Sequence, residues 1–193
     1  VLNEFVLKGA PLALNLQTGE SLDHIYHIAE RLEGTTLSTL NKEERKSVMP
    51  GMINIMSRLH LVDVSGYRGY GWITSQGNGE FETWEQYVSS FYQPEQEGFW
   101  EGWVELFETS FLERDIFQEC YARMLHYAQY SAPYRYLIHT DCHDGNIIVN
   151  GDKIVGLIDG NYRYGDFIID LIRWIGSANN FGMKDRFLER YEQ

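Results

Sequence analysis

Apolar residues recur along this chain with two different periods, and the changes between them divide it into elements. Apolar positions 1, 2, 5 and 6 mark residues 1–8 as the tail of a helix. Residues 13–16 and 24–29 read as two strands joined by a turn at Thr18-Gly19-Glu20. The helical period then runs from Asn41 to Val62, with Val48, Met52, Ile55, Met56 and Leu59 on the buried stripe and Pro50-Gly51 predicting a kink or break. The methionines there are core fillers. Gly66, Gly69, Gly71, Gly77 and Gly79, interleaved with Tyr67, Tyr70 and Trp72, predict a flexible loop on the surface or the substrate side. Thr83 is placed to cap a helix over 84–93, Pro94 to Gly98 interrupts, and helices follow over 99–111 and 112–130. The last of these carries Ile116, Cys120, Met124 and Tyr127 or Ala128 on one face.

Beyond Pro133, Tyr136 to Ile138 read as a short buried strand ending at His139, followed by a polar loop from Thr140 to Gly145. Two β-branched runs then flank Asn150-Gly151-Asp152. Asn-Gly between such runs predicts a hairpin, because both residues tolerate positive φ. A hairpin returns Asp159, at the exit of its second strand, to the side of Asn146, at the entry of its first. Asp141 belongs to the loop at the same end.

That grouping has the chemistry of phosphoryl transfer. The transition state is loose, so a protein mainly positions groups and stabilises charge. Asp141 is the candidate that orients the acceptor hydroxyl and takes its proton, while Asn146 and Asp159 are the candidates for holding Mg²⁺ against the nucleotide phosphates. His139 is expected to be a buried hydrogen-bonding strut of the loop and not a base.

His139-x-Asp141-x₄-Asn146 followed by Ile158-Asp159 resembles the catalytic and metal-binding loops of the aminoglycoside phosphotransferase family, which is built like a protein kinase. His143, Gly145, Gly165-Asp166, Asp170-Leu171 and Leu59-His60 also suit that pattern. The stretch from Gly69 to Trp84 is similar to the branch of the family that modifies hygromycin B. The likeness runs from about Tyr26 to Trp174, with only the two loops specific. Cys142 and Asp144 stand where the family often has Leu and Pro, and Gly160 where an aromatic residue often follows the metal-binding Asp.

The resemblance implies an α+β, protein-kinase-like fold, mostly the helical C-terminal lobe with its catalytic β-hairpin. Residues 1–33 would be the remnant of an N-terminal nucleotide-binding β-lobe and hinge, and 34–193 the catalytic and substrate-binding lobe. A start at Val1 without Met, a length of 193 residues, and the lack of a Gly-rich nucleotide loop and of a strand lysine paired to a helix Glu, for which Lys8 at the end of a helix-like segment is a poor substitute, predict a piece of a longer protein. The helical pattern at 191–193 predicts truncation at that end too. The expected ligands are ATP or GTP with Mg²⁺, and a small hydroxyl-bearing acceptor, an aminoglycoside above all. The hinge at 29–34 makes the backbone of Glu30, Arg31 and Leu32 the candidate contact for the nucleotide base.

Charge adds to this picture. The chain carries a net charge of −12, and the segment 80–119 holds eleven acids against the single Arg114. The acids form either a groove that attracts a cationic acceptor and repels nucleic acid or a set of solvated helix faces. Hydrophobic residues at 44% supply a core, and no run of about 18 apolar residues exists to cross a membrane. Two cysteines make no disulfide framework, which favours a reducing cytoplasm, and Cys142 reads as a small buried filler. His24, His27 and His126 are isolated and structural.

Three other functions fit parts of the pattern. The acceptor could be a choline-like amine or a sugar. The chain could be a non-catalytic nucleotide-binding fragment. Alternation of His139, Asp141 and His143 on an extended strand would instead make a metal-dependent hydrolase, although Asn146 and Asp159 would then have no task.

Overall fold

The computed structural model describes residues 1–131 and 134–172, with single positions 185 and 189. Pro133, Trp174 and the helical pattern at 191–193 lie outside the described residues. The fold is α+β, as expected. It opens with helix α1, Leu2–Leu7, and a two-stranded hairpin of β1, Asn15–Ser21, and β2, His24–Ala29. The expected turn at Thr18-Gly19-Glu20 lies inside β1. The chain reverses at Leu22-Asp23, both with positive φ, the twist that suits a two-residue connection.

A short strand β3, Thr35–Thr36, leads to helix α2, Lys42–His60. Asn41 and Glu44 close a reciprocal capping box at its start. The expected break at Pro50-Gly51 does not occur. Pro50 and Lys46 are both exposed, so the carbonyl that Pro50 leaves without a helical partner lies on the side open to water. The opposite face buries Val48, Met52, Ile55, Met56 and Leu59 in the main core, as the spacing predicts.

The glycine-rich stretch is not a loop. It pairs as β4, Tyr70–Ile73, with β5, Gly79–Phe81. A side chain at Gly69 or Gly79 would collide with the facing backbone, so these glycines bring the two strands together. Helix α3, Trp84–Ser90, follows, shorter than the expected 84–93; Thr83 caps it as expected, and Gln86 completes a capping box.

The helix expected over 99–111 is reduced to two 3₁₀ turns and one short helix, α4, Leu106–Thr109. Gly98 and Gly102 both take positive φ there, which interrupts a regular helix. Helix α5, Arg114–Ser131, has its more buried side along Phe117, Tyr121, Met124, Leu125 and Ala128. The expected stripe is therefore rotated, with Ile116 and Cys120 exposed.

Strands β6, Tyr136–Ile138, β7, Ile147–Asn150, β8, Lys153–Leu157, and β9, Arg163–Gly165, complete the architecture. One sheet runs β3-β7-β8 and the other β5-β4-β9-β6. In the first, β7 and β8 form the predicted antiparallel hairpin, with Asn150 opposite Lys153 and Ile147 opposite Leu157. Among the described residues no helix is long and apolar enough to cross a membrane.

Candidate active site

The β7–β8 hairpin closes where the sequence predicts. Ile158 N–H donates to the Asn146 carbonyl at 2.9 Å, and the Asn146 side-chain amide donates to the Asp141 carbonyl at 3.1 Å. Asp141, Asn146 and Asp159 are thereby fastened to one end of the hairpin. Asn146 is buried with its amide nitrogen occupied, while Asp159 is exposed at φ 55°, a left-handed conformation that Asp tolerates. The Asn146 amide oxygen and the Asp159 carboxylate are both hard oxygen donors of the kind Mg²⁺ takes.

His139 is fully buried. One ring nitrogen, Nε2, lies 3.0 Å from the Ile158 carbonyl, and the other, Nδ1, accepts the Asp141 N–H at 3.3 Å. The neutral Nε2–H tautomer satisfies both bonds, as a strut requires. Tyr162 packs edge-on against the ring at 5.4 Å. It also folds back over Gly160, so an aromatic ring covers this spot from three positions after Asp159.

Burial lowers the His139 pKa below the usual 6.5, with the nearby Asp170 opposing the shift. The unfolded chain therefore binds a proton near its ordinary pKa that the folded chain refuses. This stabilisation is complete above that pKa and is lost as pH falls through it toward the folded value. Between about pH 7 and about pH 5 the denaturant midpoint should fall more steeply for the wild type than for His139→Asn. Equal slopes would reject a neutral His139.

The extended alternation required for a hydrolase is absent. Thr140 interrupts it at φ 63°, both His139 nitrogens are occupied by backbone, and His143 Nδ1 accepts the Gly145 N–H at 3.0 Å. His143 Nε2 remains 3.9 Å from Asp141 Oδ2.

Asp170 organises the loop from behind. Fully buried, it accepts the N–H groups of His139 at 2.9 Å and Thr140 at 2.6 Å and meets His60 Nε2 at 3.0 Å. Its hydrogen bond holds Thr140 in a conformation unusual for a β-branched residue. His60 ends α2, so the main helix and the loop share one anchor. Arg45, near the start of α2, pairs with Asp144 at 2.6 Å and also donates to the Leu40 and Ser38 carbonyls. Asp144 therefore ties the loop to α2. Cys142 is buried against Met56, a core filler as expected.

The spacing did not reveal Asp170, Arg45 or Tyr162 as loop supports. The pairing of His60 with Asp170 had only the family pattern to suggest it.

The segment Glu30 to Leu32 touches β8 through the Leu32 side chain. Glu30 donates its N–H to the Leu14 carbonyl at 2.7 Å, which removes it as a donor for a nucleotide. Leu32 lies over Gly156, where an added Cβ would stand 2.6 Å from Leu32 Cδ1. Gly156 precedes Asp159 by three residues. Lys8, bonded to the Asp63 carbonyl at 3.0 Å, belongs to a different surface.

A cavity of about 550 Å³ adjoins the loop at Thr140. Its walls come from α3, α5, β9 and residues 168–172. The acids of 80–119 do not line it, and all eleven are exposed. They are solvated faces and not the walls of a groove at this site.

The model of the phosphotransferase enzyme family, APH, matches residues 7–193. Hygromycin-B 4-O-kinase of Escherichia coli is 24% identical over 160 residues, 82% of this chain and 45% of that protein. A thermostable mutant of aminoglycoside phosphotransferase APH(4)-Ia, solved as a ternary complex with ADP and hygromycin B, superposes with a TM-score of 0.72 at 22% identity. That likeness covers 95% of this chain and 62% of the solved one. A macrolide 2'-phosphotransferase type I follows with a TM-score of 0.59 at 16% identity, covering 99% of this chain and 61% of that one. The chain thus spans less than two thirds of these relatives. With a kinase-like fold and a family model matched over nearly its whole length, the chain belongs to the phosphotransferase enzyme family.

Proposed function

We propose that this chain is the catalytic part of an enzyme that moves the γ-phosphoryl group of ATP or GTP to a hydroxyl of a small molecule. The observation that carries this reading is the linkage of Asp141, Asn146 and Asp159 through two hydrogen bonds at one end of the β7–β8 hairpin. In it, Asp141 orients the acceptor hydroxyl and takes its proton. Asn146 and Asp159 hold Mg²⁺, which supplies positive charge to the nucleotide phosphates. His139 and Asp170 keep the loop in place without touching the reacting atoms. Residues 1–33 belong to a nucleotide-binding lobe and hinge and 34–193 to the catalytic and substrate lobe. Arg31 and Leu32 offer backbone groups to the nucleotide base, with Glu30 limited by its bond to Leu14. The enzyme works in the cytoplasm.

The relatives make hygromycin B the first acceptor to test, and the chain's negative charge would draw a cationic aminoglycoside from a distance. A second reading, with a different small alcohol as acceptor, is favoured by the aromatic lining of the cavity at Thr140. The test is phosphate transfer by the full-length polypeptide from ATP and from GTP, with Mg²⁺, to a panel of aminoglycosides and other alcohols. Nucleotide-dependent phosphorylation of one of them is expected. Tight Mg²⁺-nucleotide binding with no transfer to any acceptor would favour the non-catalytic fragment.

A further inference from the structure

The cavity at Thr140 has a chemistry that an aminoglycoside does not match. Trp84, Tyr87, Phe91 and Met124 give it a largely apolar, aromatic wall, and Arg163 of β9 supplies its cation. The Arg163 guanidinium lies 3.7 Å from the centre of the Trp72 ring, with the rings of Tyr87 and Phe91 at 5.6 and 5.9 Å. Its Nε is buried with no hydrogen-bond partner among the described residues. No carboxylate of the described residues lies within ion-pair distance of it. Burial also pulls its pKa below the usual value.

The guanidinium is held among rings, with the Tyr87 hydroxyl as a neutral hydrogen-bonding partner and the Asp170 charge acting on it only from a distance, so its positive charge meets no contacting carboxylate of the described residues at the cavity wall. Among the described lining residues the one carboxylate, Asp166, is already engaged. It accepts from Ser131 Oγ and from the Ile168 N–H. A polycation would meet a like charge and one occupied acid. A ligand with a flat apolar body and an oxyanion would cover the rings and pair with the guanidinium fork.

We infer that this cavity, continuous with the catalytic loop at Thr140, binds a hydroxylated acid with an apolar body, its oxyanion on Arg163 and its hydroxyl toward the loop. That this ligand is the phosphate acceptor rests on the phosphotransferase reading. The ligand class rests on the cavity alone. Arg163 is then a specificity-determining residue that reads the acceptor's charge.

The test uses the full-length polypeptide and a series of hydroxyalkyl benzoates of increasing chain length, each with its neutral methyl ester. Binding is measured calorimetrically in the presence of Mg²⁺ and ADP, and transfer with Mg²⁺ and ATP. At least one acid should bind roughly 10-fold tighter than its ester to the wild type. This ligand-side comparison needs no variant. In Arg163→Gln the preference should vanish, with KM for the acid raised roughly 10-fold and kcat and nucleotide affinity nearly unchanged. Arg163→Lys should restore only part of it, lacking the planar fork.

Equal affinity for every acid and its ester would overturn the inference. So would tighter binding of hygromycin B that competes for the same site. Acid binding that depends on Arg163 but yields no phosphorylated product would refute the acceptor role and leave the ligand class standing.

Discussion

Asp141→Ala should lower kcat by about 10²–10⁴-fold while leaving the affinity for Mg²⁺ and nucleotide nearly unchanged, as read by steady-state phosphate transfer and direct nucleotide binding. The carboxylate is the part of Asp141 that this substitution removes. Its backbone N–H remains held by His139 Nδ1 and its carbonyl by the Asn146 amide, so the loop keeps its path. What is lost is the group that aligns the acceptor hydroxyl and receives its proton. Since phosphoryl transfer is catalysed by positioning and charge, the loss falls on the chemical step and not on the binding of the donor. A fall in kcat of less than about tenfold would assign the proton to another group.

Asp170→Ala should destabilise the fold by about 3–5 kcal/mol, seen as a lower midpoint in denaturant. The side chain is fully buried and holds two backbone N–H groups of the catalytic loop together with His60 of α2. Its removal leaves buried donors unsatisfied, and each costs free energy. Thr140 also loses the bond that keeps it in left-handed backbone, so the loop should relax and turnover should fall with stability. Asp170→Asn keeps an acceptor oxygen and should lie between the wild type and Asp170→Ala. A wild-type midpoint for Asp170→Ala would mean that the loop is held by other contacts.

The parts of this fold set by local rules were readable in the sequence. The β7–β8 hairpin followed from β-branched runs around Asn150-Gly151, and the start of α3 from Thr83 as its N-cap. The buried stripe of α2 followed from its period, though Pro50 suggested a break that an exposed position spares. Elements set by long-range contacts were misread. Tyr70–Ile73 is a strand because it pairs with both β5 and β9, which local glycine content hides. The face of α5 is chosen by its packing against α3, not by its own ambiguous pattern.

The candidate site divides in the same way. His139, Asp141, Asn146 and Asp159 lie within 21 consecutive positions and are gathered by one hairpin. Asp170 and Arg45 act across 31 and 99 residues from their loop partners, and such distances leave no periodic mark. The acidic segment shows the limit of composition. It fixed the sign of the surface charge, yet the acids turned out to face solvent while an arginine faces the cavity.

Separate roles for the two carboxylates gathered at one end of this hairpin, Asp141 and Asp159, are most directly tested by one pair of numbers. These are the dissociation constants for nucleotide, with Mg²⁺ present, of the full-length Asp141→Ala and Asp159→Ala variants. Asp159→Ala should weaken Mg²⁺-dependent nucleotide binding markedly, while Asp141→Ala should bind nearly as the wild type does and fail to transfer phosphate. Equal loss of binding in both variants would contradict the assignment.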